Sequence, residues 1–100
     1  MALGLVTKEP AEVFPVTVDF KNELAVGETI ASADVTSKNE LTGTDTTATI
    51  VTGAVAINGS QVAQRVQAGA SGERHVLQFR ITTSASNVYE AEVGLVVQEE

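Results

Sequence analysis

Two long alternating runs near the C-terminal end constrain the fold of this chain more than any other feature. Between Arg74 and Thr83, the side chains of His75, Leu77, Phe79 and Ile81 share one face, and between Val88 and Val97 so do Tyr89, Ala91, Val93, Leu95 and Val97. A period of two belongs to strands, because successive side chains point to opposite sides of a sheet. If Ser84-Ala85-Ser86 is the connecting loop, Ile81 opposes Tyr89, Phe79 opposes Ala91, Leu77 opposes Val93, and Arg80 meets Glu90 on the outer face. A four-residue loop sets Ile81 against Glu90 instead, so the three-residue loop is predicted.

The rest of the chain repeats this pattern in shorter form. Apolar alternations are separated by Gly, Asn, Asp and Ser at intervals of about eight to twelve residues, the spacing of a sandwich or barrel. Val16, Val18 and Phe20 predict a strand over Pro15 to Lys21, starting at or just after Pro15 because proline donates no ladder hydrogen bond. Glu28 to Val35 reads as a second strand, with Ile30 and Val35 out of phase and so implying a bulge or an early end. Ser37 to Asp45 reads as a polar loop and Thr46 to Thr52 as a third strand. Asn58-Gly59 predicts a two-residue type I′ hairpin pairing Ala54–Ile57 with Ser60–Ala63, which places Val55 across from Val62. No helix is predicted.

Composition agrees with strands. Val is the commonest residue and Thr is not far behind, and both fit a pleated surface better than a helix. One hundred residues predict a single domain over 1–100, folding to hide roughly 65% of the surface that the extended chain exposes. There is no Cys, so disulfides, thiolate metal sites and Cys nucleophiles are excluded. The net charge of −7, with only six Lys and Arg spread along the chain, argues against a nucleic-acid partner. No apolar run approaches the length of a membrane span, and the apolar start lacks the basic residues of a signal peptide, so it is expected to be retained.

No residue pattern points to chemistry. His75 is the only histidine and has no His, Cys or carboxylate at metal-ligand spacing, so it reads as a partly buried strand residue near a sheet end. Gly69 and Gly72 lack the Lys and helix of a phosphate loop and read as a flexible connection. Asn58-Gly59-Ser60 matches a glycosylation sequon, but the hairpin explains it better. No catalytic, cofactor or metal residue is therefore expected, and the chain is read as not an enzyme. The candidate interaction segment is Leu3, Leu5 and Val6, uncharged up to Lys8; residues 1–10 form either the first edge strand or an extended arm docked on a neighbouring subunit.

Some features also suggest a family. Lys8-Glu9-Pro10, the run Val16-Thr17-Val18-Asp19-Phe20, Leu24-Ala25-Val26-Gly27-Glu28-Thr29-Ile30, then Val62-Ala63-Gln64-Arg65-Val66, Gly69, Gly72, Leu77 and Ile81-Thr82-Thr83 before a final amphipathic strand stand in this order. Together they resemble small tailed-bacteriophage virion proteins of the fibre-tail adaptor type. The resemblance implies an all-β, immunoglobulin-like antiparallel β-sandwich of about seven strands. It also implies a structural role in the virion, as a tail, neck or fibre-attachment adaptor, made in the host cytoplasm. The expected partners are other virion proteins, with the chain itself present as a homo-oligomer or in several copies, and with no membrane or nucleic acid bound. Capsid decoration and carbohydrate binding are the alternatives; for the latter, sugar sites usually present aromatic rings, and Phe14 is the only aromatic not assigned to an inward face.

Overall fold

The computed structural model describes residues 2–99. Seven strands and one short helix occur in the order β1 (Ala2–Lys8), β2 (Phe14–Asp19), β3 (Ile30–Asn39), α1 (Thr47–Ile50), β4 (Val51–Asn58), β5 (Gln61–Val66), β6 (Arg74–Thr83) and β7 (Val88–Val97). They make two sheets, one ordered β1-β7-β6-β3 and the other β2-β5-β4. The fold is a β-sandwich. Every pairing is antiparallel except that of β1 with β7, which is parallel.

The inward faces build one core. Leu77, Phe79 and Ile81 of β6 and Ala91, Val93 and Leu95 of β7 meet Val16, Val18 and Phe20 from β2 and its end, and Val62 and Val66 of β5. Burying each of the larger side chains contributes about 1.5–3 kcal/mol. The β6–β7 register is the one that the alternation predicts, with Ile81 opposite Tyr89, Phe79 opposite Ala91, Leu77 opposite Val93 and Arg80 opposite Glu90. Ser86 sits at φ 66 and closes the three-residue loop, with Thr83 N–H donating to the Asn87 carbonyl at 2.8 Å.

Elsewhere the structure corrects the sequence reading. The strand predicted from Glu28 runs from Ile30 to Asn39, with the anticipated bulge between Ile30 and Ser32. Its second half takes residues assigned to a loop, because Ser37 is buried and its hydroxyl is 2.7 Å from that of Thr46. The strand expected over Thr46 to Thr52 begins instead as helix α1. There the Asp45 carboxylate accepts the Thr47 N–H at 2.9 Å and the Thr46 carbonyl accepts the Ile50 N–H at 2.9 Å. The tertiary contacts of Thr46 with Ser37 and His75 and the burial of Ile50 thus override the β-propensity of the threonines.

The β4–β5 hairpin forms, but its turn lies at Gly59-Ser60, with Gly59 at φ 62 and Asn58 outside the positive-φ region. Ile57, and not Val55, faces Val62. The cause is a three-against-one bulge: Thr52 pairs with Arg65 and Ala56 with Ala63, leaving Gly53, Ala54 and Val55 opposite Gln64 alone. Buried Gln64 fills the gap, its side-chain amide donating to the carbonyls of Thr52 at 2.9 Å and Gly53 at 3.2 Å. Strand β2 starts one residue before Pro15, at Phe14, and ends at Asp19.

Candidate functional site

Four strand edges border the two sheets, and three are blunted. At the β3 edge, the Asn39 N–H donates to the Thr44 carbonyl at 2.8 Å and the Thr46 N–H to the Ser37 carbonyl at 2.9 Å, so the following loop covers it. The β4 edge is interrupted by its bulge, and β2 carries Pro15. Proline, bulges and covering loops are the usual devices against unwanted strand pairing. Strand β1 has none of these along Leu5–Lys8. It contains no charged residue before Lys8, and Lys8 is turned inward and fully buried.

Lys8 anchors this edge. Its ammonium donates to the carbonyls of Glu9 at 2.7 Å, Pro10 at 3.0 Å and Ala68 at 2.7 Å, which satisfies all three N–H groups without a paired carboxylate. Burial holds its pKa below the usual lysine value, and the nearby charge of Glu12 offsets part of that effect. The Gln98 N–H donates to the Lys8 carbonyl at 2.8 Å. Backbone groups alternate sides along a strand, so Lys8 and Val6 bond toward β7, while Leu5 and Thr7 offer their N–H and C=O groups to the open side.

Of the candidate interaction residues, Val6 is half-buried against the core and Leu5 is 56% exposed on the outer face. The side chain of Leu3 lies outside the described residues. Leu5 is paired with Gly94, which has no side chain to hold it off the sheet. The register slips between Ala2 and Leu5, where Gly4 adopts φ 119, so the regular part of the edge is Leu5–Lys8.

His75 is more deeply placed than the sequence suggests: it is fully buried at the start of β6. Its Nε2 donates to Glu73 Oε1 at 3.1 Å, so in the neutral ring Nδ1 accepts the Thr46 hydroxyl at 3.0 Å, and Thr46 lies 2.7 Å from the Ser37 hydroxyl. A carboxylate–imidazole–hydroxyl chain has the order of a hydrolytic triad. Here the hydroxyl end leads to buried Ser37, so the chain ties the start of α1 to β3 and β6. Glu73 is held below the usual carboxylate range by the Ala70 N–H and then by His75. No group of three or more His, Asp or Glu is placed to hold a metal among the described residues. Nothing in the sequence marked this network or the buried Lys8, because Ser37, Thr46 and Ala68 are distant in sequence from the groups they meet.

A groove of about 490 Å³ on the outer face of β3 and β6 is lined by Lys38, Glu40, Asp45, Val76 and Glu92 among others. It contains no aromatic ring. Phe14, the aromatic left free in the sequence reading, is half-buried against the core. No helix among the described residues is long and apolar enough to cross a membrane.

The fold and its edges thus define a small β-sandwich protein with one strand edge left uncharged and open. The chain belongs to the family described as podophage GP4 fiber-tail adaptor protein gp77, whose model matches residues 8–96. That family is one of structural tail components, which makes the chain a virion constituent. No curated protein matches it.

Proposed function

We propose that this chain is a non-enzymatic adaptor between the tail and the fibres of a podophage, acting through protein contacts. Its family membership over residues 8–96 carries the reading. The polar interior supports it: the buried polar side chains among the described residues are all hydrogen-bonded and do structural work, holding loops and strands together. The strand order supports an immunoglobulin-like plan, in which β2-β5-β4 corresponds to strands B, E and D and β7-β6-β3 to G, F and C, with β1 moved to the G edge. An adaptor at this junction is present in several copies in the particle and is assembled in the host cytoplasm.

Leu5 and Val6, with the adjoining backbone of Leu3, form the contact segment in this reading, presented by β1 as a sheet edge. Capsid decoration and carbohydrate binding lack a comparable observation. The test is a reconstitution with purified tail and fibre proteins of the same phage. The adaptor reading expects a complex containing both. If the chain co-purifies with neither, or with the capsid protein alone, the reading fails.

A further inference from the structure

We infer that the open edge of β1 accepts an extended segment of a tail or fibre protein as an added strand, and that this segment is apolar at its centre and basic at its ends. The inference rests on the adaptor reading but not on the matched family span, since Ala2–Thr7 lies outside residues 8–96.

Geometry supplies the first half. Leu5 and Thr7 direct their backbone N–H and C=O groups away from β7, and Gly4 bends the chain just before them. A short strand laid alongside satisfies these four groups, the mode of recognition in which main-chain hydrogen bonds provide affinity and side-chain contacts provide selectivity. On the outer face an apolar residue of the incoming strand meets Leu5, which already extends across Gly94.

Charge supplies the second half. Glu92 stands opposite Ala2 at one end of β1, while Glu9, Glu12 and Glu99 surround the other. Strand β7 carries two glutamates and no Lys or Arg. The one cation of β1, Lys8, is buried and committed to three carbonyls. Arg74 and Arg80, the cations of neighbouring β6, are paired with Glu40 and Glu90. The edge is therefore neutral at its centre, with net negative charge at the Lys8 end, where three carboxylates outnumber one buried ammonium, and a single carboxylate, Glu92, at the other. A second copy would bring the same carboxylates together, whereas a segment flanked by Lys or Arg complements them.

The experiment uses the full chain and the purified tail and fibre proteins as probes, in a titration at low and at elevated salt. Thr7→Pro removes an N–H on the open side and is tolerated at a strand edge. Leu5→Lys and Leu5→Glu leave the backbone intact and change only the sign of the charge. Expected are loss of at least about tenfold in affinity for Thr7→Pro, a larger loss for Leu5→Lys than for Leu5→Glu, and weakening with salt, while Leu41→Ser on the opposite side binds normally. Should Thr7→Pro fail to fold, the Leu5 pair decides. Equal binding by Thr7→Pro and the wild type, or equal losses for the two Leu5 variants, overturns the inference and leaves the adaptor reading standing. A chain that dimerises alone through this edge, lost in Thr7→Pro, identifies a second copy as the occupant and also overturns it. Failure of the wild type to bind either probe removes the adaptor reading itself.

Discussion

Leu5 lies so close over Gly94 that a β-carbon on that glycine would sit 2.7 Å from Leu5 Cδ1. The two residues are Cα partners across the only parallel pairing among the described residues. Gly94 therefore gives β1 the room to close on β7, and its φ is not the reason it is glycine, since it does not lie in the left-handed region.

A substitution cycle tests this. Gly94→Val adds a side chain where Leu5 now lies, and because Leu5 Cδ1 is the end of a flexible, exposed side chain that can swing aside, the change is expected to cost at most about 1 kcal/mol. In the Leu5→Ala background the same change is expected to cost much less, because the obstructing methyl groups are gone. Urea unfolding of the four proteins measures the difference, and additive effects would contradict the contact.

Lys8→Met preserves the length of the side chain and removes its charge. The part-buried carbonyls of Glu9, Pro10 and Ala68 then lose a donor. Because an acceptor left without its partner costs about 1–3 kcal/mol when buried and less when water reaches it, the variant is expected to lose about 1–3 kcal/mol. The drop appears as a lower urea midpoint, and amide exchange is expected to speed up first in the β1–β2 loop and around Ala68.

These relationships show what the sequence made legible. The alternation in β6 and β7 gave their register pair by pair, since one buried face leaves a single alignment of Leu77, Phe79 and Ile81 with Val93, Ala91 and Tyr89. The hairpin at Asn58-Gly59 misled because the turn signal is local, whereas the register depends on the bulge at Gly53–Val55 and on Ser60, whose carbonyl accepts the Phe20 N–H at 2.8 Å. Helix α1 was hidden in the same way: four threonines near Ala48 look like strand, and only the tertiary contacts of Thr46 and Ile50 favour a turn of helix. For the contact segment, the absence of charge before Lys8 was visible in the sequence. That Lys8 points inward, and so leaves the edge neutral, was not.

Gln64 makes a third structural prediction. Its amide bridges the Thr52 and Gly53 carbonyls across the bulge, so Gln64→Leu fills similar volume while leaving both acceptors unsatisfied. A loss of about 1–3 kcal/mol is expected, compared by thermal or urea unfolding with the exposed control Gln98→Leu, which is expected to lie within about 0.5 kcal/mol of the wild type.

Acid should loosen the loops at the far end of the sandwich through Glu28. Its carboxylate accepts the Ala25 N–H at 2.8 Å, the Thr83 hydroxyl at 2.5 Å and the Asn87 amide at 2.9 Å, and these bonds, in that order, hold its pKa below the ordinary value. A carboxyl group whose pKa is depressed by folding binds fewer protons in the folded than in the unfolded state, so stability rises with pH across the interval between the two values. Its contribution is complete above the unfolded value, about 4.3 for glutamate, and disappears as pH falls through the lower folded value. Asp19, Asp45 and Glu73 are depressed in the same direction, by the Ser60 hydroxyl, the Thr47 N–H and the Ala70 N–H respectively, and add to the slope. Glu28→Gln is therefore expected to reduce stability at neutral pH and to flatten its decline below about pH 4. Melting temperatures of both proteins between neutral pH and about pH 2.5 provide the measurement, and parallel curves would show that the Glu28 bonds do not couple folding to protonation.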